Sequence, residues 1–384
     1  MKRIELILIF LLLCSKLGLA QPENWQGKTE VKNGITYIHN PEQGIWDNDP
    51  TKKLTVEKIF SIGSMNAEDE YLFSWVKDIT TDSSGNIYAC DSKEHRIQVY
   101  DKTGKYIRTI GRKGQGPGDL MRPMAVRVDR DGKIFVQDDL NFRISIFKPN
   151  GKFDHSFKYR QVAGENLEID LSGNVLLNHS LFGLPKGQTI PPIVTVYNLK
   201  GNIEKQFGKP LLILEKDGYG RPYYAYNGFS KQKDSTLIVH FSYTYLVHFY
   251  KNGALYKVIE RDTPIFTKPE VIETIFKATT GEGGKVKSVA QRSDIRKILP
   301  LPDGRFAAVI FDSGKNFKEK TVGGMDIFTF LDLFNSDGKF LKSYPWDWQK
   351  YGLLEHVDRE GYFYTNRGDS EMIPGVTKWK VSFE

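Results

Sequence analysis

The sequence predicts an all-β fold, a six-bladed β-propeller built from four-stranded antiparallel blades. The first observation is an internal repeat: residues 82–91 and 96–100 return as residues 129–138 and 143–147, at a constant offset of 47 positions. The second is a tight turn of the Asp-x-x-Gly kind, or a degenerate form of it, that begins six repeats along the chain. A fixed period of this size is the signature of repeat architectures.

The clearest repeat divides into four short extended runs that are rich in Ile, Val, Tyr and Phe, the residue types that strands prefer. The predicted strands are residues 76–81, 86–90, 96–100 and 106–110. Two of the connections are Asp-x-x-Gly tetrads, at 82–85 and 101–104. In such tetrads Asp bonds its own backbone and Gly supplies a positive φ, so both read as tight turns.

Both faces of these strands are apolar. Ile87 and Ala89 point to one side, and Tyr88 and Cys90 point to the other. A sheet with one wet face would alternate between apolar and polar residues. A sheet that is apolar on both sides must be packed between neighbours, and radially stacked blades satisfy this requirement.

The later repeats are degenerate but can be counted. Their first tight turns begin at Asp170, Lys233, Pro302 and Asp358. The sixth repeat has room for only three strands, and Leu54–Ile62, upstream of the first full repeat, resembles an outer strand. We therefore expect Leu54–Ile62 to pair with residues 377–383 and to close the ring, which removes exposed sheet edges.

The chain begins with a pattern typical of export. Lys2 and Arg3 precede an apolar run at residues 6–14, and small residues occur at Gly18 and Ala20. This predicts a cleaved signal peptide over residues 1–20 and an exported protein, which is periplasmic, cell-surface or secreted. The apolar run is too short to span a bilayer, so no transmembrane segment is expected in the mature chain.

A lipoprotein signal with acylated Cys14 is the alternative to cleavage after Ala20. Leu13 disfavours this alternative, because a lipoprotein signal requires a small residue just before the acylated cysteine. We assign residues 21–53, which contain several Pro, Gly and Asn, to an N-terminal arm on the surface, and residues 54–384 to the propeller.

Charge and cysteine content limit the partners. Loss of residues 1–20 lowers the formal net charge from +7 to +5, which is too mild to indicate a nucleic-acid interface. Cys90 is the single cysteine of the mature chain, so no intrachain disulfide forms, and we interpret it as a small buried residue. We expect a monomer that binds no nucleic acid.

The repeat resembles a known family. The phrase at residues 82–100 is similar to the NHL repeat, the phrase at 129–147 also matches it, and the linker at 110–119 is typical of six-bladed propellers secreted by bacteria. The resemblance is to exported, NHL-like six-bladed β-propellers and implies the fold rather than one activity. Some NHL propellers bind RNA, and some six-bladed propellers are lactonases or amidating lyases that hold Ca²⁺ or Zn²⁺ in the channel.

The predicted topology divides the disc into two rims. Because strands alternate in direction, the two tight turns of each blade lie on one rim, and the middle loops and blade-to-blade linkers lie on the other. Every long connection falls in the second set: linkers 111–123, 208–230 and 262–292, and middle loops 179–192, 312–324 and 366–376. Long loops commonly carry function, so we predict the binding face on this long-loop rim.

An aromatic segment lies in one of these linkers. Its candidate ligand-binding residues are Tyr219, Arg221, Tyr223, Tyr224, Tyr226 and Phe229. Exposed rings would form flat platforms for sugars or peptides; the alternative is that they pack the linker onto the blades.

His95 and Arg96 are further candidates, because they border a middle loop. Asp91 and Arg96 recur as Asp138 and Arg143, which leaves two hypotheses: a ring of polar groups for a ligand, or a clasp within each blade. Residues 267–276 have the pattern of a short helix, with a capping box from Thr267 to Glu270. We interpret this helix either as a lid or as an insertion without function.

The sequence favours a binding or scaffold protein that recognises a glycan, a peptide or a protein. The alternative is a metal-dependent hydrolase or lyase with its site at the channel mouth, and Ca²⁺ or Zn²⁺ would then be needed. No cofactor is predicted from the sequence, no catalytic residue is named, and no Cys-x-x-Cys, His-Glu-x-x-His or Gly-x-Ser-x-Gly motif occurs.

Overall fold

The structure is a computed structural model of the chain, and we describe most of its length. The described residues are 25–64, 68–159, 163–179, 190–214, 223–225, 227–267, 269–276, 284–290, 292–314, 327–367 and 373–384.

Six antiparallel sheets form the blades, as predicted. From the innermost strand outward, the strands are Val76–Thr81, Ile87–Asp91, Arg96–Tyr100 and Tyr106–Ile110 in blade 1; Pro123–Val128, Ile134–Asp138, Arg143–Phe147 and Phe153–Lys158 in blade 2; Ala163–Ile169, Val175–His179, Val194–Tyr197 and Ile203–Phe207 in blade 3; Asn227–Lys231, Leu237–Phe241, Leu246–Lys251 and Ala254–Arg261 in blade 4; Ser293–Pro300, Phe306–Asp312, Phe328–Phe334 and Phe340–Trp346 in blade 5; and Leu354–Val357, Tyr362–Arg367, Pro374–Phe383 and Leu54–Ile62 in blade 6.

The ring closes as the sequence predicts. Leu54–Ile62 is the outer strand of blade 6 and pairs antiparallel with Pro374–Phe383. The hydroxyls of Ser61 and Thr377 lie 2.8 Å apart across this seam. The sixth blade is therefore completed by the start of the propeller, and no blade lacks a strand.

The hydrophobic core consists of layers between neighbouring blades. Between blades 4 and 5, Phe306 stacks on Phe334 with ring centroids 4.8 Å apart, and Phe249 meets the edge of Phe306 at 5.6 Å. Both faces of an inner strand are buried, as in Ile87–Asp91. The tight turns hold because Gly85 and its equivalents have positive φ, 82° in the case of Gly85.

The N-terminal arm extends the sheet of blade 4. Its hairpin comprises Lys28–Lys32 and Ile35–Asn40, and the second of these strands pairs in parallel with Ala254–Arg261. The arm then crosses to blade 5, where the amide of Trp46 donates to the carbonyl of Leu341 at 2.8 Å. It thus runs along the outer edges of blades 4 and 5 before it becomes the outer strand of blade 6.

Two additional hairpins lie in the linkers of the long-loop rim. Leu212–Leu214 pairs with Tyr223–Tyr224 between blades 3 and 4, and Glu270–Phe276 pairs with Gly284–Ala290 between blades 4 and 5. The helix predicted over 267–276 is therefore wrong. Ile, Val and Thr at its β-branched positions favour a strand, and the partner strand outweighs the local capping pattern.

Helical structure is minor in the described part of the chain. It consists of the short α-helix Trp348–Tyr351 and two 3₁₀ turns, Asp69–Tyr71 and Asp139–Asn141. None of the helices among these residues is long and apolar enough to cross a membrane.

Candidate binding site

The exposed large apolar side chains are unevenly distributed over the disc. On the long-loop rim they are Trp75, Leu140, Phe142, Leu212, Val271 and Phe328. On the tight-turn rim, the described residues include one, Leu171. The others lie on outer strands or the arm: Val31, Ile59, Ile107 and Ile203. Clustered apolar exposure marks interaction surfaces, so the asymmetry favours the long-loop rim.

Blades 1 and 2 supply the best-defined part of this surface. Trp75 immediately precedes the innermost strand of blade 1, its amide donates to Asp91 Oδ1 at 2.9 Å, and 41% of the residue stays exposed. The ammonium of Lys77 lies 5.4 Å from the centroid of the Trp75 ring. A ring fixed at its backbone and open on one face suits recognition of an apolar or flat ligand group.

Phe142 is held in an unfavourable backbone conformation in the middle loop of blade 2. Its φ of 51° and ψ of 43° lie in the left-handed region, and the residue is 54% exposed. A bulky residue rarely adopts this conformation, but it recurs at the equivalent position of blade 1, where His95 has a φ of 58°, so it belongs to the repeat. The exposed ring, rather than the backbone, makes Phe142 a candidate contact residue, which the sequence reasoning missed.

His95 and Arg96, which the sequence singled out, hold linkers in place. Nδ1 of His95 lies 2.6 Å from the carbonyl oxygen of Met121, and Arg96 Nη2 donates to the carbonyl of Leu72 at 2.7 Å. Arg96 also lies 3.6 Å from the carboxylate of Asp91. These contacts correspond to the clasp rather than to a ring of polar groups open to ligand.

The predicted aromatic segment is described only in part. Phe229 is 2% exposed and packs in the core between blades 3 and 4, so it offers no ring to a surface platform. Tyr223 and Tyr224 form one strand of the short hairpin at the rim. Tyr219, Arg221 and Tyr226 lie outside the described residues.

A recurrent bulge shapes the mouth of the central channel. In four blades the innermost strand skips one residue in its pairing near the long-loop end. The positions that the register skips are Lys77, Met124, Arg296 and Glu355. Bulges bend a strand and redirect a side chain, so this device gives the mouth a different residue on each of these blades.

Around the channel, charged side chains from five blades form a chain of ion pairs. Arg127 links Glu168, 3.1 Å from its Nε, to Asp78, 2.6 Å from its Nη1. Lys297 continues the chain, 3.8 Å from Asp78 and 2.7 Å from Glu355. Signs alternate along the chain, and all five side chains are largely buried.

The pairing controls the protonation of the carboxylates. Burial opposes ionisation of Asp78, but the charges of Arg127 and Lys297 prevail and hold its pKa below the usual value. For Glu355, burial raises the pKa and Lys297 opposes the rise. The channel carboxylates thus serve mainly to neutralise their basic neighbours.

Blade 4 leaves a gap in this chain. Gly228 on its innermost strand has no side chain, and the ring of His240 on the next strand occupies the space: a Cβ at Gly228 would lie 2.4 Å from Cε1 of His240. Burial and then the charge of Arg296 lower the pKa of His240 to about 3. His356 of blade 6 bonds Thr81 at 2.9 Å, and burial followed by Arg127 lowers its pKa to about 3. Both imidazoles are therefore neutral at pH 7.

The donor set of the channel does not suit a cation. Asp78, Glu168 and Glu355 are each committed to Arg127 or Lys297, so a metal ion would first have to displace a guanidinium or an ammonium group. Among the residues described here, no three His, Cys, Asp or Glu side chains group closely enough to hold one.

The sequence contained a signal for the ion-pair chain that we did not use. Each member is a charged residue on an innermost strand, a few residues before the tight turn, as Asp78 is before Asp82. Partner assignment needs the ring geometry, because Asp78 and Lys297 belong to different blades.

Comparisons with known proteins agree with the fold. The family model DUF5128, described as a 6-bladed beta-propeller, matches residues 38–133. The E3 ubiquitin-protein ligase TRIM71 of Gallus gallus is 35% identical over 143 residues, which are 34% of this chain and 16% of that protein. RING finger protein nhl-1 of Caenorhabditis elegans is 41% identical over 58 residues, 15% of this chain and 6% of that protein. The chain thus spans less than a fifth of these curated relatives.

Two solved structures resemble the whole propeller. One is a protein of Bacteroides fragilis described as exported, with a TM-score of 0.55 and 11% identity over 90% of this chain and 99% of that one. The other is a DUF4221 family member of Bacteroides vulgatus, with a TM-score of 0.58 and 11% identity over 86% of this chain and 99% of that one. At this identity they show the fold alone. The chain is a six-bladed β-propeller that resembles the NHL-repeat propellers in sequence and exported bacterial propellers in structure.

Proposed function

We propose that this protein is an exported binding propeller that recognises a glycan, a peptide or a protein partner with its long-loop rim. The observation that carries the proposal is the concentration of exposed apolar side chains on that rim, with Trp75 and Phe142 as its best-defined members. Aromatic residues are enriched among those that dominate binding energy. The signal-like segment at residues 1–20 supports export.

The ion-pair chain supports binding over catalysis. Catalytic carboxylates need a reacting group within reach, whereas the carboxylates of Asp78, Glu168 and Glu355 are occupied by basic side chains of the same channel. A metal-dependent hydrolase or lyase at the channel mouth remains the alternative proposal. It would gain support if purified protein retained Ca²⁺ or Zn²⁺ in stoichiometric amount.

The test is binding of the mature protein, residues 21–384, to glycan and peptide arrays. Trp75→Ala and Phe142→Ala are the rim variants, and Leu171→Ala, on the opposite rim, is the matched control because it removes a comparably exposed apolar side chain. We expect each rim variant to lose about ten-fold in binding, the effect of removing one anchor residue. Equal binding by all variants, or equal loss in the control, would contradict the proposal.

A further inference from the structure

The N-terminal arm adds two strands to the sheet of blade 4. We call Lys28–Lys32 the outer arm strand and Ile35–Asn40 the inner arm strand. The inner arm strand pairs in parallel with Ala254–Arg261, and within the described sheets the outer arm strand pairs only with the inner one. None of the five residues of the outer arm strand is buried, so packing in the core does little to hold it in place.

Side chains from all three strands meet at His39, which belongs to the inner arm strand. Its Nε2 lies 3.1 Å from a carboxylate oxygen of Glu30 on the outer arm strand. Its Nδ1 lies 2.9 Å from a carboxylate oxygen of Glu260, the residue opposite it on blade 4. The ring of Tyr37 stacks beside the imidazole, with centroids 6.5 Å apart. One imidazole thus bridges two carboxylates that belong to different strands.

The bridge requires a proton on both ring nitrogens. A neutral imidazole has one N–H donor and one lone pair, whereas the imidazolium ion donates from both nitrogens. An ionised carboxylate only accepts, so a neutral ring at His39 would turn its lone pair towards one of the two carboxylates. Histidine is the side chain whose charge ordinarily changes between about pH 5 and pH 8, so the bridge depends on pH in this range.

The charged groups around His39 determine which contact the neutral ring keeps. Lys28 and Lys32 both pair with Glu30, and hydrogen bonds first from Lys32 and then from Lys28 lower the pKa of Glu30 to about 2. Glu260 has His39 as its one ion-pair partner among the described residues. The neutral ring therefore keeps its proton on Nδ1 for Glu260, and the lone pair of Nε2 faces the ionised carboxylate of Glu30.

We propose that His39 is a proton-dependent bridge that holds the outer arm strand on the propeller. The imidazolium ion attracts both carboxylates, whereas the lone pair of the neutral ring repels Glu30 and loosens the outer arm strand. The inner arm strand stays in place through its backbone pairing with blade 4 and the buried bonds of Asn40. The outer arm strand is thus held most firmly in mildly acidic solution, and a rise in pH exposes the edge of the inner arm strand. This inference does not depend on the proposed function, because the bridge lies at the outer edge of blade 4.

The test is amide hydrogen exchange of the mature protein, residues 21–384, at pH 5.5 and pH 8.5, with rates corrected for the pH dependence of intrinsic exchange. We expect the protection of Lys28–Lys32 to be about three-fold lower at pH 8.5, the effect of one solvent-exposed ion pair. Tyr106–Ile110, the outer strand of blade 1, contains no histidine and is the internal control. Its protection should be the same at the two pH values.

Three variants assign the effect to the bridge. His39→Gln, which is uncharged at both pH values, should remove the difference in protection. Glu30→Gln should remove it as well, because the neutral ring then faces no carboxylate on the outer arm strand. His155→Gln removes a half-exposed histidine of blade 2 and, as the matched control, should retain the three-fold difference.

A wild-type protein whose outer arm strand is equally protected at both pH values would overturn the inference. A three-fold difference that persists in His39→Gln would overturn it too, since the proton would then be bound elsewhere. If His39→Gln leaves the outer arm strand unprotected at both pH values, Glu30→Gln decides: a difference that persists in this variant also contradicts the bridge.

Discussion

The side-chain oxygen of Asn40 accepts a hydrogen bond from the backbone amide of Phe340 at 2.7 Å, across 300 residues of sequence. The amide nitrogen of Asn40 donates to the carbonyl of Gly338 at 3.0 Å. Asn40 is 3% exposed, so both bonds are shielded from water. One side chain thus joins the N-terminal arm to blade 5, at the end of the strand by which the arm extends blade 4.

We predict that Asn40→Ala destabilises the protein by about 2–4 kcal/mol, because two buried backbone groups lose their partners. Urea unfolding at pH 7 measures the change. Asn150→Ala is the control, since Asn150 caps an exposed turn by accepting from the amide of Lys152. Equal losses of unfolding free energy in the two variants would show that the bonds of Asn40 stabilise the protein no more than a surface turn does.

The ion-pair chain predicts a strong effect of removing one cation. Arg127→Met leaves the buried carboxylates of Asp78 and Glu168 without their shared partner and should cost about 3–5 kcal/mol. Arg122→Met, which removes the half-exposed partner of Asp139, should cost at most about 1 kcal/mol. Both are read from denaturant midpoints. If Arg127→Met lost less stability than Arg122→Met, the ion pairs of the channel would have to be exposed to solvent.

The two buried histidines predict a loss of stability in acid. Their folded pKa values of about 3 lie below the usual histidine value of 6.5, so the unfolded chain takes up protons first as the pH falls. Their contribution is complete above about pH 6.5 and is lost towards pH 3, each histidine costing up to about 1.4 kcal/mol per pH unit. Asp294 and Glu355, whose pKa values burial raises, oppose this loss.

Measured between pH 7 and pH 4.5, the free energy of unfolding should therefore fall less steeply in His356→Asn than in wild type. Asn150→Ala, which changes no titratable group and lies in an exposed turn, is the control and should leave the slope unchanged. The slope is the criterion, because the substitution also removes the bond to Thr81. An unchanged slope in His356→Asn would indicate that His356 is protonated in the folded state.

Replacement of Phe142 should have opposite effects on the stability of the protein and on its binding through the long-loop rim. Asn tolerates the left-handed conformation far better than Phe, and the exposed ring contributes little packing. Phe142→Asn should raise the free energy of unfolding by about 0.5–1 kcal/mol and weaken rim binding. Urea unfolding and the peptide array measure the two effects. A destabilised variant would instead identify the ring as a packing element of the middle loop.

Local repeats made most of the fold predictable from sequence. Each turn encodes its own geometry, as Gly85 and Gly104 show with φ of 82° and 88°, and each strand pairs with its neighbour in the chain. The closure of the ring by Leu54–Ile62 was predictable as well, because the sixth repeat lacked one strand.

Features that depend on distant partners were not predictable in this way. The pairing of the arm with blade 4 and the ion pair between Asp78 and Lys297 join segments whose spacing carries no periodic signal. The strand Glu270–Phe276 was predicted as a helix because its capping pattern is local and its partner strand is not.

The strand pairing that closes the ring can form only late in the synthesis of the chain. Ser61 and Thr377, which meet across it, are 316 residues apart, so a growing polypeptide cannot form this contact until nearly all of the propeller has been synthesised. Closing so long a loop is entropically costly, and topologies dominated by such distant contacts fold slowly. Until then the chain exposes unpaired strands at both ends, which makes the nascent form, rather than the finished disc, the state most vulnerable to aggregation and proteolysis.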